Sequence, residues 1–351
     1  MIISRASVAR ARGVLRRSTT GFAVRGGGGL QISIKTSADI GPKGDVWGDV
    51  FFANDLADAF RARGHVVFID RLGEAVRPEG AAPDDVVIHL RGLHRTHAVP
   101  GAVNVLWVIS HPDLVDDDEL RAGFDLVFAA SEPWARRKTA GSGVQVRPML
   151  QATNPRRFHP GPPDESLRSD VLFLGKSRNI FRPIVQDSIA IGADLSVYGD
   201  GWGQFIDSEY IRAEFLDNDR VSGAYRSARV VLNDHWEDMK REGFLSNRLF
   251  DAVGSGAVVV SDRVEGIEAV FGSSVAPYDS ADELRSLLSV DHSWPNIGDR
   301  FRRVRAVKRN HSFEARARTM LSLLRRHYAR RLVGAVRTRV RSRIAAARNS
   351  R

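Results

Sequence analysis

Four segments of this sequence set cations, glycines or a histidine where they could act on an anion. The first is Gly41-Pro-Lys-Gly-Asp-Val-Trp-Gly48-Asp49, a loop feeding a helix. Glycines ahead of a helix leave backbone N–H groups free for an anion, and Gly48 stands at that point. The second is Ile109-Ser110-His111-Pro112-Asp113, directly after an apolar run. A histidine or carboxylate at the carboxyl end of a strand can move a proton or hold a substrate hydroxyl, so His111 is the first candidate base and Asp113 the second. The third, Gly175-Lys176-Ser177-Arg178-Asn179-Ile-Phe-Arg182, puts three cations within a short stretch, which suits a phosphate. The fourth runs from Glu242 through Ser246, Asn247, Arg248, Asp251, Gly254 and Gly256 to Asp262. Ser246 or Asn247 opens a helix there, so helix dipole and Arg248 both favour an anion at its start. Asp251, one turn inside, could accept hydrogen bonds from a diol.

Other sites fail on spacing. A dinucleotide fingerprint needs G-x-G-x-x-G between strand and helix; Gly199-Asp-Gly201-Trp-Gly203 has the wrong spacing, and the glycine run 26–29 precedes a strand. Gly175-Lys176-Ser177 resembles the tail of a P-loop, but Asp170 stands where the loop's first glycine belongs. His89, His94 and His97 form no H-E-x-x-H pattern, so no metal site is expected. Asp116-Asp117-Asp118-Glu119 reads as the acidic first turn of a helix, complementing its dipole.

Behind these segments, apolar runs and helical periodicities alternate. Short runs occur at 30–36, 65–70, 85–90, 103–110, 125–130 and 144–150. Between the first two, Phe52, Leu56 and Phe60 recur at i, i+4, i+8 and Gly64 marks a stop, which predicts a helix over 47–63. Residues 151–168, with four prolines, read as a linker. The alternation restarts with strands at 170–174, 194–198, 229–233 and 257–261 and helices from about 181 and at 245–254, 264–271 and 280–289, before a basic helical stretch at 297–330. Runs apolar on both faces and separated by helices indicate parallel sheets covered on both sides. The expected organisation is a basic tail 1–29, a Rossmann-like domain 30–152, a linker 153–168, a second Rossmann-like domain 169–296, a helix 297–330 and a basic tail 331–351. In such α/β units ligands sit at the carboxyl ends of the strands.

Composition narrows the classes. The 351 residues include no cysteine, which excludes disulfides, thiolate metal sites and a cysteine nucleophile. Neither a secretory signal nor a spanning helix is expected. The net charge of +10 is unevenly placed: residues 1–38 carry seven bases and no acid, residues 300–351 carry 18 bases and Glu314, and the body between them is left at −14. Specific nucleic-acid binding by the folded body is therefore not expected. Basic ends suit an anionic membrane surface.

The second half of the chain resembles the CgeB-like glycosyltransferases, relatives of the group 1 glycosyltransferases. The matching segments are 171–183, 197–202, 229–234, 246–262, 275–288 and 310–317, and the first half is similar to the companion domain through its GDVWGD loop, RARGHVV element and WVISHPD segment. This resemblance implies the GT-B architecture, two facing Rossmann-like domains with an interdomain cleft. It implies a nucleotide-sugar as co-substrate held by the second domain, a glycan, lipid-linked or small-molecule acceptor held mainly by the first, and neither metal nor other cofactor. Carried over by motif, Lys176 and Arg248 fall near the diphosphate, with Arg182 as a lesser candidate, and Tyr198, Gly199 and Trp202 fall near the base; Gly48, Gly175, Ser246 and Asn247 are further donor-binding candidates. Asp251 stands where the family usually has Glu on the ribose, and Glu242 lies one residue outside the E-x7-E spacing of related enzymes. The resulting expectation is a metal-independent, cytoplasmic glycosyltransferase, peripheral to the inner face of the membrane through its basic ends. His111 would serve as base in an inverting enzyme or position the donor in a retaining one. A catalytically silent nucleotide-sugar-binding module and a surface-binding protein that uses its basic ends are the alternatives.

Overall fold

The computed structural model describes residues 29–348, with side chains through Arg330. The expected basic tail at the N-terminus lies outside the described residues but for Gly29. Among the described residues, twelve strands form two six-stranded sheets. The first contains β1 (Gln31–Lys35), β2 (Val66–Asp70), β3 (Val86–Arg91), β4 (Val103–Val108), β5 (Leu126–Ala129) and β6 (Val146–Pro148), in the order β2-β1-β3-β4-β5-β6. The second contains β7 (Ser169–Leu174), β8 (Leu195–Tyr198), β9 (Ile211–Ala213), β10 (Ala228–Asn233), β11 (Val259–Asp262) and β12 (Val275–Tyr278), in the order β12-β11-β10-β7-β8-β9. Every neighbouring pair of the second sheet is parallel.

Sequence pattern accounts for this directly. All six residues of β3 and of β4 are buried, as are the last four of β7 and of β10. Strands buried on both faces must be covered on both sides, which crossover helices provide. The helix Gly48–Arg61 buries Phe52, Leu56 and Phe60, as the i, i+4, i+8 spacing predicts, and the chain turns at Gly64. Each such side chain contributes about 1.5–3 kcal/mol by leaving water. The short β9 and the helices Asn218–Ser227 and Glu237–Arg241 were not legible as periodic segments.

By contact density the described chain forms two compact units. One comprises residues up to His89, Ala98–Val105 and the chain from Arg316 on; the other comprises Leu90–His97 and Leu106–Ala315. The proline-rich 151–168 stretch is packed within the second unit. Thr153 is fully buried, donates its N–H to the His311 carbonyl at 2.9 Å and accepts from the Phe313 N–H at 3.2 Å. This pairing, with Ser312 Oγ accepting the Ala315 N–H at 3.2 Å, breaks the basic stretch into two helices, Ile297–Asn310 and Phe313–Arg348, where one was expected over 297–330. Among the described residues no helix is long and apolar enough to cross a membrane.

The strand order of the second sheet places the functional region. The chain leaves β7 for β8 on one side, whereas β10, on the other side of β7, leads to β11 and away. The βα loops after β7 and β10 therefore diverge and open a crevice at their carboxyl ends, the position where parallel sheets bind ligands.

Candidate functional site

Leu174 ends β7 and Gly175 follows at φ 157°. A Cβ on Gly175 would lie 2.7 Å from Arg248 Nη2 and 3.2 Å from Arg182 Nη1, so a side chain here would displace two guanidinium groups. The loop after β8 approaches equally closely. A Cβ on Gly199 would stand 2.1 Å from the Gly175 carbonyl oxygen. Gly175 N–H donates to Tyr198 O at 2.8 Å and Ser177 N–H to Asp200 O at 3.0 Å. Trp202 Nε1 donates to Gly175 O at 2.8 Å and its ring packs edge-on against Phe173. At 1% exposure Trp202 braces the two loops from inside.

Among the described residues, three that are not glycine have left-handed backbone: His111 (φ 50°), Arg178 (φ 62°) and Asn179 (φ 58°). Such conformations cost of order 1–3 kcal/mol each and persist where surrounding structure over-determines them, most often at functional sites. Two of them, His111 and Arg178, meet. Trp236 carries the Arg178 guanidinium 4.1 Å from its ring centroid, and the His111 ring lies 5.3 Å away. His111 Nδ1 stands 3.9 Å from the Asp238 carboxylate. Burial lowers the His111 pKa below the ordinary value, with Arg178 and Arg91 acting in the same sense and Asp238 against them.

Arg178, Arg182 and Arg248 make a guanidinium cluster. Arg182 is 1% exposed. It reaches both Asp234 oxygens, through Nη2 and, at 2.7 Å, through Nε, while Nη1 donates to Lys176 O at 2.8 Å. Arg248 Nη1 donates to Asn233 Oδ1 at 3.0 Å and lies 3.9 Å from Asp234. Both guanidiniums lie over the Phe173 ring, at 4.5 and 5.1 Å. Burial first, then like charge from Arg248, presses the Arg178 pKa down to about 9, and Arg182 is pushed down by burial and by both neighbours. Burial lowers Arg248 as well. A guanidinium does not give up its proton in a protein, so three cations stand together here with part of their hydration lost, and a bound anion would stabilise them. Lys176 is exposed beside the cluster.

The helix Asn247–Gly254 starts at the same place. Ser246 is its N-cap residue but makes no side-chain cap bond, because its hydroxyl donates to Asn233 Oδ1 at 2.6 Å. The helix start thus lacks the usual side-chain acceptor and presents its amides next to Arg248. His235 fixes the entry. Its Nε2 accepts the Ser246 N–H at 2.9 Å, so Nδ1 carries the proton toward Asp262 Oδ1 at 2.6 Å. Burial works against the Asp262 carboxylate, but the His235 and Ser261 hydrogen bonds hold its pKa below the usual value.

Of the residues expected from sequence, Gly175, Lys176, Arg182, Tyr198, Gly199, Ser246, Asn247 and Arg248 gather at the ends of β7, β8 and β10, and His111 joins through Trp236. Asp113 pairs with Arg241, both about half exposed. Asp251 accepts the Asn247 amide at 2.7 Å. Gly48 opens its helix in the other unit, with Trp47 as N-cap and no side-chain cap bond. Sequence reasoning counted Arg178 among three cations suited to a phosphate without giving it a place in the site, and did not assign Asn233, Asp234, His235, Trp236 or Asp262. The available signal was position: Asn233-Asp234-His235 and Asp262 are the polar residues that end or follow apolar strands. Beside the cluster, Tyr198, Arg212, Ala213, Phe215, Leu216 and Arg220 line a groove of about 360 Å³. Among the described residues no group of three or more His, Cys, Asp or Glu is placed to hold a metal ion.

Residues 175–322 match the family model described as glycosyl transferase-like. No curated protein matches the chain. Among solved structures, AviGT4, a glycosyltransferase involved in avilamycin A biosynthesis, superposes with a TM-score of 0.57 at 18% identity, over 87% of this chain and 98% of that one. Sucrose-phosphate synthase from Thermosynechococcus elongatus gives 0.57 at 14% identity, over 86% and 99%. The α,α-trehalose 6-phosphate synthase from Burkholderia multivorans gives 0.57 at 13%, over 88% and 98%. These likenesses establish the GT-B fold, and with the family match they support a transferase.

Proposed function

We propose that this protein transfers a sugar from a nucleotide-sugar donor to an acceptor hydroxyl, with arginines and a helix N-terminus in place of a metal ion at the diphosphate. The observation that carries this reading is the convergence of Arg178, Arg182 and Arg248 on an uncapped helix start at the switch point of the second sheet. Breaking the bond between sugar C1 and the phosphate oxygen leaves both electrons on the departing nucleoside diphosphate and positive character on the sugar ring. Cations and amides fixed beside that oxygen stabilise the transition state more than the ground state. The groove between Tyr198 and Phe215 takes the base, its aromatic lining suited to a flat ring. His111, with a lowered pKa, is neutral at pH 7 and accepts the proton of the attacking hydroxyl in an inverting reaction. In a retaining reaction it holds the donor.

We read the chain, from its motifs, as a CgeB-like relative of the glycosyl transferase-like proteins. The acceptor is a glycan, a lipid-linked sugar or a small molecule. We assign the protein to the cytoplasm, peripheral to the membrane through its basic ends.

The test is a thermal-shift panel of UDP-, GDP-, TDP- and ADP-sugars on wild type and Arg248→Ala, with EDTA present. One nucleotide class is expected to stabilise wild type, by about 2.7 kcal/mol at a hundredfold excess over Kd, and to leave the variant unmoved. Stabilisation without release of nucleoside diphosphate would reduce the protein to a binding module. Absence of any shift would overturn the donor site.

A further inference from the structure

The groove beside the guanidinium cluster carries more chemistry than a flat ring alone would need. Its volume is about 360 Å³, and two of its walls are the rings of Tyr198 and Phe215, the latter 48% exposed. Strand alternation sets the next side chain. In β9, Ile211 packs into the core with Val197, so Arg212 lies on the opposite face, where its Nε donates to Ser196 Oγ at 3.0 Å. That bond holds the guanidinium by one side and leaves Nη1 and Nη2 as a fork for the groove. Arg220, also in the lining, is engaged elsewhere: its Nη2 donates to Ser166 Oγ at 2.8 Å and to Asp164 at 3.4 Å. The acid of the groove is Asp217. It is exposed, occupies the N-cap position of the helix Asn218–Ser227 and makes no side-chain cap bond, so the helix amides do not hold its carboxylate.

An arginine fork and a carboxylate in one groove select among bases by hydrogen-bond pattern. The two oxygens of a carboxylate are best met by two parallel N–H donors. Guanine presents such a pair, N1–H beside the 2-amino group, and it also presents two acceptors, O6 and N7, to a guanidinium. Uracil and thymine have one imide N–H between two carbonyls, so the second carboxylate oxygen would face a carbonyl oxygen. Adenine and cytosine set a ring-nitrogen lone pair beside their amine, with the same repulsion. We propose that the groove reads guanine, Asp217 accepting from N1–H and the 2-amino group, Arg212 donating to O6 and N7, and the rings of Tyr198 and Phe215 packing on the base. The donor class is then a GDP-sugar. This assignment rests on the donor site proposed above and names its base.

The experiment titrates GDP, IDP, UDP and ADP calorimetrically into the full chain as wild type, Asp217→Asn, Arg212→Lys and Arg248→Ala. IDP lacks only the 2-amino group and so isolates one hydrogen bond to the carboxylate. Wild type is expected to bind GDP roughly ten- to a hundredfold more tightly than IDP, UDP or ADP. In Asp217→Asn the preference for GDP over IDP should vanish. Arg212→Lys keeps the charge without the fork, and should weaken GDP and IDP alike by about tenfold while the preference between them persists. Asp217 and Arg212 are both exposed, and circular dichroism verifies that the variants fold. A preference for UDP or ADP over GDP, or a GDP preference that both variants keep unchanged, overturns the guanine assignment. Loss of the preferred nucleotide in Arg248→Ala would in that case leave the donor site standing without its guanine reader. No nucleotide bound by wild type overturns both readings together.

Discussion

Arg248 lies at the centre of the charge distribution: it touches Asn233, stands near Asp234, lies over Phe173 and bears on Gly175. Arg248→Ala is expected to lower kcat by 10²–10³, about 3 kcal/mol, the typical loss for one donor to a developing anion. Steady-state kinetics on the donor identified by thermal shift check it. His111 gives a pH prediction with a definite sign. Its folded pKa is depressed, so the neutral base is lost only when pH falls below the ordinary histidine range. The kcat/KM of an inverting enzyme should be flat above about pH 6.5 and fall on its acid side, and His111→Gln should abolish that limb. A variant that keeps the limb would move the base elsewhere. These residues were legible in the sequence because each occupies a start or an end: Arg248 at a helix start, Lys176 and His111 beyond apolar strands. Asp234, His235 and Asp262 were not, although their contacts are as close. Arg182 meets Asp234, and His235 meets Asp262, only through the strand order β11-β10-β7, which no local periodicity encodes. Trp202 looked like a ligand residue and turned inward, because Gly175 O offers its indole N–H a partner.

Elements explain why the cluster stays open to a ligand. A helix ordinarily satisfies its first amides with the side chain of its N-cap residue. In the helix Asn247–Gly254 that side chain is diverted to Asn233, and the Ser246 N–H is taken by His235. Ser246→Asp would place a carboxylate at the helix start where we propose the diphosphate sits. Donor affinity is expected to fall at least about a hundredfold from repulsion and lost amides, while the apo protein keeps its far-ultraviolet circular dichroism. Calorimetric titration with the donor decides this; unchanged affinity would remove the helix start from the site. The two sheets were legible as elements because buried strands betray themselves by apolar residues on both faces. The break at His311–Ser312 was not. Ser312 is a polar residue in a basic, helix-forming run, and its cap role exists only because Thr153 pairs with the residues on either side of it.

At the scale of the molecule, charge is arranged against the net balance. The body between 39 and 299 carries −14, yet three guanidiniums are gathered within it at the end of β7, and the surplus of bases lies beyond residue 300. Two kinds of electrostatics follow. The cluster is largely buried, with partners within 4 Å, so added salt screens it little. The C-terminal bases would act on a membrane across water, where the Debye length falls from roughly 30 Å at 0.01 M to about 3 Å at 1 M salt. Raising salt across that range should therefore abolish sedimentation with anionic vesicles while donor affinity changes only a few-fold. Deleting 331–351 should separate the terms further. Seven arginines go with that segment, each contributing about 1 kcal/mol near an anionic surface, so vesicle binding should fall steeply. The donor-induced thermal shift should remain, since no residue of the guanidinium cluster or of the helix Asn247–Gly254 is removed. If truncation left sedimentation unchanged, the basic segment would have no membrane role. If it erased the donor shift instead, the C-terminal helix would have to be supporting the second sheet.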